Sequence, residues 1–221
     1  MNMRTRYRFV CVLIAASLTT ATLSAQVDGS FAQAQRANAE KLRQYTWKSR
    51  TEVQKKGTTK SVQLMLVRYD TRGQLQATPL SNTTAQVPEL GLRGHIARKK
   101  KEDLLQTIEY LKALVATYRD LPPDEIQSLM ACATAAQGQL RASGTNLIQR
   151  GDALTVWMDP ATRKLRKVEI ITALDKNTVR AVFEFQDLPN GPTTMERSVI
   201  QYPVDELTLL TENFDFAKAT P

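Results

Sequence analysis

The sequence predicts an α+β fold: a large curved antiparallel sheet, a half-barrel of about nine strands, with helices packed on its concave face. Three observations predict it. A helix-forming segment is followed by a meander of period two, then by two segments of helical period, then by a long run of strand-like segments. Within each strand run the connections are short polar turns, which join antiparallel neighbours. One helical segment also carries a continuous apolar stripe that a sheet face can cover.

Each element has a local cause. Residues 30–43 are rich in helix formers, with Ser30 placed as an N-cap and Phe31, Ala34 and Leu42 near one stripe. The period then changes to two. Tyr45, Trp47, Ser49, Thr51 and Val53 alternate with Thr46, Lys48, Arg50, Glu52 and Gln54, the pattern of a half-buried strand. Lys55-Lys56-Gly57-Thr58 is a turn, 62–69 the return strand, and Asp70-Thr71-Arg72-Gly73 a second turn before a short strand at 75–80. Residues 81–94, with Pro88, Gly91 and Gly94, read as a loop. A long helix is expected over 95–119. Its Leu104, Ile108, Leu111, Val115 and Tyr118 recur at alternating spacings of four and three. Pro122-Pro123 ends it, and a second helix is expected over 124–137, closed by Gly138. Strands are then expected at 146–150, 154–158, 165–172, 179–186, 195–202 and 207–216. In the last of these, Glu212, Phe214 and Phe216 should share one face.

The chain has 221 residues and a formal charge of +8. Arg4, Arg6 and Arg8 precede an apolar run, and small residues follow, ending at Leu23-Ser24-Ala25. That is the layout of a secretory signal peptide over residues 1–25, cut after Ala25 or after Ser24. The apolar run is shorter than the roughly 20 residues that a membrane-spanning helix needs. Residues 26–221 then form one domain in a secreted protein, most consistent with a bacterial periplasm. The leader would remove three of the 30 basic residues and no acid, so much of the positive charge is not the domain's own. Cys132 alone would survive cleavage, which leaves no internal disulfide. Set among small residues, it reads as a buried structural thiol, with a reactive thiol as the alternative.

Two stretches carry a family resemblance. One is Leu42-Arg43-Gln44-Tyr45-Thr46-Trp47 ahead of the first hairpin. The other is 154–163, where a strand ends in Asp159-Pro160 and a tight turn precedes two long strands. With the central helix pair between them, the order resembles the periplasmic lipoprotein carriers of the LolA and LolB type. The resemblance implies a curved sheet under a helical lid, with an apolar cavity for acyl chains between them. It implies no catalytic residue and no cofactor.

The residues set out few chemical sites. His95 is the only histidine, so a His-pair metal site is excluded and one imidazole base remains. Its place just before a helix reads as a surface position. Glu102-Asp103, Asp124-Glu125 and Asp205-Glu206 are adjacent in sequence, which points them apart rather than into an acid–base pair. No metal and no catalytic residue is assigned. Tyr45, Trp47, Leu104, Ile108, Leu111, Trp157, Phe183 and Phe185 are expected to line an apolar pocket if their faces point inward, or else to form an ordinary packed core. Arg98, Lys99, Lys100 and Lys101 are a solvated face, or meet lipid head groups or an acidic partner at the rim. The function that follows is non-enzymatic binding of a lipid acyl chain or a lipidated protein between sheet and helices. The alternative is an envelope protein–protein module with a filled core. Peripheral contact with a membrane surface suits either. Nucleic acid is not an expected partner.

Overall fold

The computed structural model describes residues 24–84, 91–119 and 121–219. Helix α1 (Ser24–Leu42) leads into strands β1 (Tyr45–Lys55), β2 (Thr58–Tyr69) and β3 (Leu75–Thr84). Helices α2 (Gly91–Arg119) and α3 (Pro123–Ala131) follow. Seven further strands complete the chain: β4 (Thr134–Ala136), β5 (Gln139–Thr145), β6 (Ala153–Met158), β7 (Leu165–Leu174), β8 (Asn177–Asp187), β9 (Thr193–Tyr202) and β10 (Leu207–Lys218). Among the described residues no helix is long and apolar enough to cross a membrane.

All ten strands form one antiparallel sheet in the order β3-β2-β1-β10-β9-β8-β7-β6-β5-β4. It is open, with β3 and β4 as its edges, and matches the curved half-barrel that the sequence predicts. The chain passes from one edge to the other between β3 and β4, and α2 and α3 make that crossing. Tight turns set the register. Lys56 and Gly57 have φ of 55° and 68°, and Gln137 and Gly138 have 51° and 75°. Two successive left-handed residues are what a type I′ hairpin turn requires.

The core lies between α2 and one sheet face. Val53, Leu209, Ile200, Ala181, Ile170 and Leu154 stand opposite one another in register from β1 to β6. Ile108, Leu111, Val115 and Tyr118 of α2 join the same cluster, so the stripe read from the sequence is the buried side of the helix. Leu111 is fully buried. The opposite face of these strands carries charge, as in Arg50, Glu52, Lys167 and Glu169.

Several local expectations are corrected. Helix α1 begins at Ser24, so Ser30 lies inside it; no proline stands between 24 and 30 to stop the helix. The second central helix ends at Ala131, because Gly138 serves the turn of a hairpin that pairs Ala136 with Gln139. Residues 146–150 are not a strand. Asp152 accepts hydrogen bonds from the backbone N–H groups of Leu147, Ile148 and Gln149 and winds them into a turn. Cys132 is exposed rather than buried, since it caps the shortened helix. Phe214 and Phe216 do not share a face. Asp215 takes a φ of 55°, and the register with β1 shifts between Thr46 and Lys48. That bulge turns Phe216 onto the Trp47 side and leaves Phe214 opposite Lys48. The expected leader, through residue 23, lies outside the described residues.

Candidate functional site

The N-terminal half of α2 reaches past the packed core. Between it, the β1–β2 hairpin and the 3₁₀ turn Pro203–Asp205 lies a cleft of about 650 Å³. Its floor is apolar: Val53 from β1, with Leu104 and Ile108 from α2. Leu105 and Val204 stand at its mouth, 52% and 57% exposed. Its rim is cationic. Lys55, Lys56 and Lys60 come from the hairpin and Lys100 and Lys101 from the helix, against Asp103, Asp205 and Glu206. Lys55 Nζ lies 3.9 Å from Asp205 Oδ2 and Lys56 Nζ lies 4.0 Å from Glu206 Oε1. Both pairs are long and solvated, so they hold the hairpin to the turn only weakly. Lys60, Lys100 and Lys101 make no ion pair among the described residues.

The basic run of α2 is divided by the helix. Lys100 and Lys101 face the cleft, one turn before Leu104 and Leu105. Arg98 and Lys99 lie with His95 and Glu102 on a neighbouring surface. Arg98 Nη2 stands 3.2 Å from His95 Nδ1, and His95 is exposed. No group of three or more His, Cys, Asp or Glu among the described residues is placed to hold a metal ion.

The expected pocket residues divide into three sets. Leu104, Ile108, Leu111 and Phe183 belong to the α2 core or pack against it. Phe185, half-buried, continues the same face of β8 opposite Met195. Tyr45 and Trp47 are buried outside that core cluster, at the far end of β1. There Trp47 stacks on Phe216 at 5.8 Å and tilts toward Tyr69 at 6.0 Å. Trp157 is on the other side of the sheet. In β6 the residues Leu154, Val156 and Met158 are buried, and Trp157 points away from them. Its ring lies between Lys167 Nζ at 4.9 Å and the Arg141 guanidinium at 5.7 Å, a cation–π arrangement.

The chain resembles two solved structures. A DUF1329 family protein from Desulfovibrio piger superposes with a TM-score of 0.39 at 8% identity, covering 88% of this chain and 93% of that one. A LolA superfamily protein from Nitrosomonas europaea superposes with a TM-score of 0.33 at 9% identity, covering 84% of this chain and 94% of that one. No protein-family model matches the chain, and no curated protein matches it.

One buried polar cluster escaped the sequence reading. Tyr118, near the C-terminal end of α2, donates its hydroxyl to Asp152 Oδ2 at 2.8 Å and lies 2.7 Å from Thr172 Oγ1. Gln149 Nε2 donates to Thr172 Oγ1 and to the Ala173 carbonyl. Burial pushes the Tyr118 hydroxyl up to about 12. Burial also opposes ionisation of Asp152. The donors Gln149 N–H, Ile148 N–H, Tyr118 Oη and Leu147 N–H outweigh it and hold the carboxyl below its ordinary value. The cluster therefore pins the C-terminal half of α2 to the sheet, and the N-terminal half overhangs the cleft. Asp152 and its partner Tyr118 are 34 positions apart, so no local pattern in the sequence marks the pair. Lys55 and Lys56 mark only a turn in the sequence, and Lys60 carries no signal there.

Proposed function

We propose that this chain is a secreted, periplasmic, non-enzymatic binding protein that holds an apolar chain, from a lipid or a lipidated protein, in the cleft beside α2. The observation that carries the reading is the cleft itself: an apolar floor of Val53, Leu104 and Ile108 under a rim of lysines. Its volume falls in the range of small-molecule sites, about 300–1,000 Å³. The leader-like residues 1–25 support the compartment. The core under Leu111 and Val115 is filled, so the chain would lie at the end of α2 and not between the whole helix and the sheet.

The energetics limit what the floor can do alone. Burying about ten methylenes contributes about 8 kcal/mol. Association costs at least about 4 kcal/mol. The remainder corresponds to an affinity near millimolar, so a useful ligand needs contacts with the rim as well.

Native mass spectrometry of the protein purified from its periplasm, followed by organic extraction, tests the reading. The expected result is a retained mass that extracts as fatty acid or phospholipid and that is absent from a Ser61→Trp variant, which fills the cleft. A clean apo mass that takes up no added lipid would refute it and favour a protein-binding module with a filled core.

A further inference from the structure

The rim carries an asymmetry that the floor does not explain. Five lysines face three acids around one cleft. Asp205 and Glu206 are engaged by Lys55 and Lys56 across the hairpin end. That leaves Lys60 on one wall and Lys100 and Lys101 on the other, with Asp103 as the remaining acid among the described residues of the rim. Like charges gathered around a cleft repel, and an anion between them relieves that repulsion. Lys60 comes from β2 and the adjacent Lys100 and Lys101 from α2, so the fold and not local sequence brings Lys60 to the other two.

We infer that Lys60, Lys100 and Lys101 form an anion site at the mouth of the cleft, and that the ligand is a single-chain amphiphile with a carboxylate or phosphate head. This rests on the reading that an apolar chain lies along Val53, Leu104 and Ile108. The head then sits about one helical turn from the floor, since Lys100 and Lys101 precede Leu104 by that distance along α2. Lysines act here as point charges on flexible stems, which tolerate either head group. Arg98 and Lys99 belong to the same basic run but face away, and they take no part.

Calorimetric titration of the purified protein with laurate, dodecyl phosphate and monolauroylglycerol, all of one chain length, tests the inference. The expected result is that both anionic ligands bind about tenfold or more tightly than the neutral one. That preference should shrink as salt rises. It should vanish in the variant K60Q/K100Q/K101Q, which still binds the neutral chain, and persist in R98Q/K99Q. A larger preference for dodecyl phosphate than for laurate assigns a phosphate head; equal preference assigns any anion. Equal binding of all three ligands, or a preference that survives in the triple variant, overturns the anion site while leaving the apolar-chain reading intact. No binding of any of them overturns both.

Discussion

Glu52 is held by three side-chain donors on the face of β1 that turns away from α2. By alternation it belongs to the solvent face of β1, and it does point away from the helices. Yet it is only 8% exposed, because Arg50, Gln54 and Thr59 close over it. Thr59 Oγ1 donates at 2.6 Å, Gln54 Nε2 at 2.8 Å and Arg50 Nη2 at 2.6 Å. These donors, Thr59 first, hold the carboxyl at about 2 against its ordinary 4.5. A carboxylate whose folded value lies below its unfolded one stabilises the fold above the unfolded value. That contribution is lost as pH falls through the folded value. Glu52→Gln is therefore expected to melt below the parent at neutral pH. The two melting curves should converge as pH falls from about 4.5 toward about 2. A constant offset across that range would show that the carboxylate charge contributes nothing. Thr59 reaches Glu52 only because the hairpin turn at Lys56 and Gly57 folds it back, so the contact is invisible until the turn type is known.

Helix α2 is one element with two behaviours, and the sequence displayed only part of that. Its stripe from Leu104 to Tyr118 was legible because apolar residues recur at helical spacing. That the stripe meets the sheet fully at Leu111 but only in part at Leu104 was not, since exposure depends on how far the sheet extends beneath. Leu111→Ala is expected to cost about 2–5 kcal/mol, as for other fully buried leucines. Leu105→Ala, at the half-exposed cleft mouth, should stay within about 0.5 kcal/mol. Urea denaturation with constant slope checks both; equal costs would mean that the two halves of the helix pack alike. The following segment shows the opposite limit of pattern. Residues 124–137 contain many helix formers and no glycine or proline, yet the chain turns into a hairpin at Gln137 and Gly138. Pairing Thr134–Ala136 with β5 satisfies backbone groups at the sheet edge, a tertiary gain that outweighs local propensity. Trp157 lies on the outer face for a related reason. Alternation assigns Leu154, Val156 and Met158 to one face and Trp157 to the other, where Arg141 and Lys167 cover its ring.

At the scale of the molecule, the strand order decides where stability resides. The first and last strands pair as β1–β10, and β10 is flanked by both β1 and β9 over 207–212. Thr51 and Thr211, 160 positions apart, share a hydrogen bond across that seam. Closing so long a loop costs entropy before its contacts form, so the seam should assemble late and open only when the whole sheet opens. The edges differ. β3 is paired only with β2, and β4 is three residues long and paired only with β5. Along α2 the Tyr118–Asp152 pin and the buried side chains from Ile108 onward tie down one half, while 98–103 are exposed. Hydrogen exchange is expected to rank these parts. Amides of β10 over 208–211 should exchange slowest, at the rate of global unfolding. Those of β4, and of 98–103 in α2, should exchange faster by local opening, and the 108–118 segment should follow β10. If an anionic chain binds beside Lys100 and Lys101, its addition should slow exchange over 98–103, the exposed part of α2, more than over 108–118. Uniform protection along α2, or a β10 that exchanges as fast as β4, would show that stability is not graded outward from the seam. In that case the overhang at the cleft would be as rigid as the core.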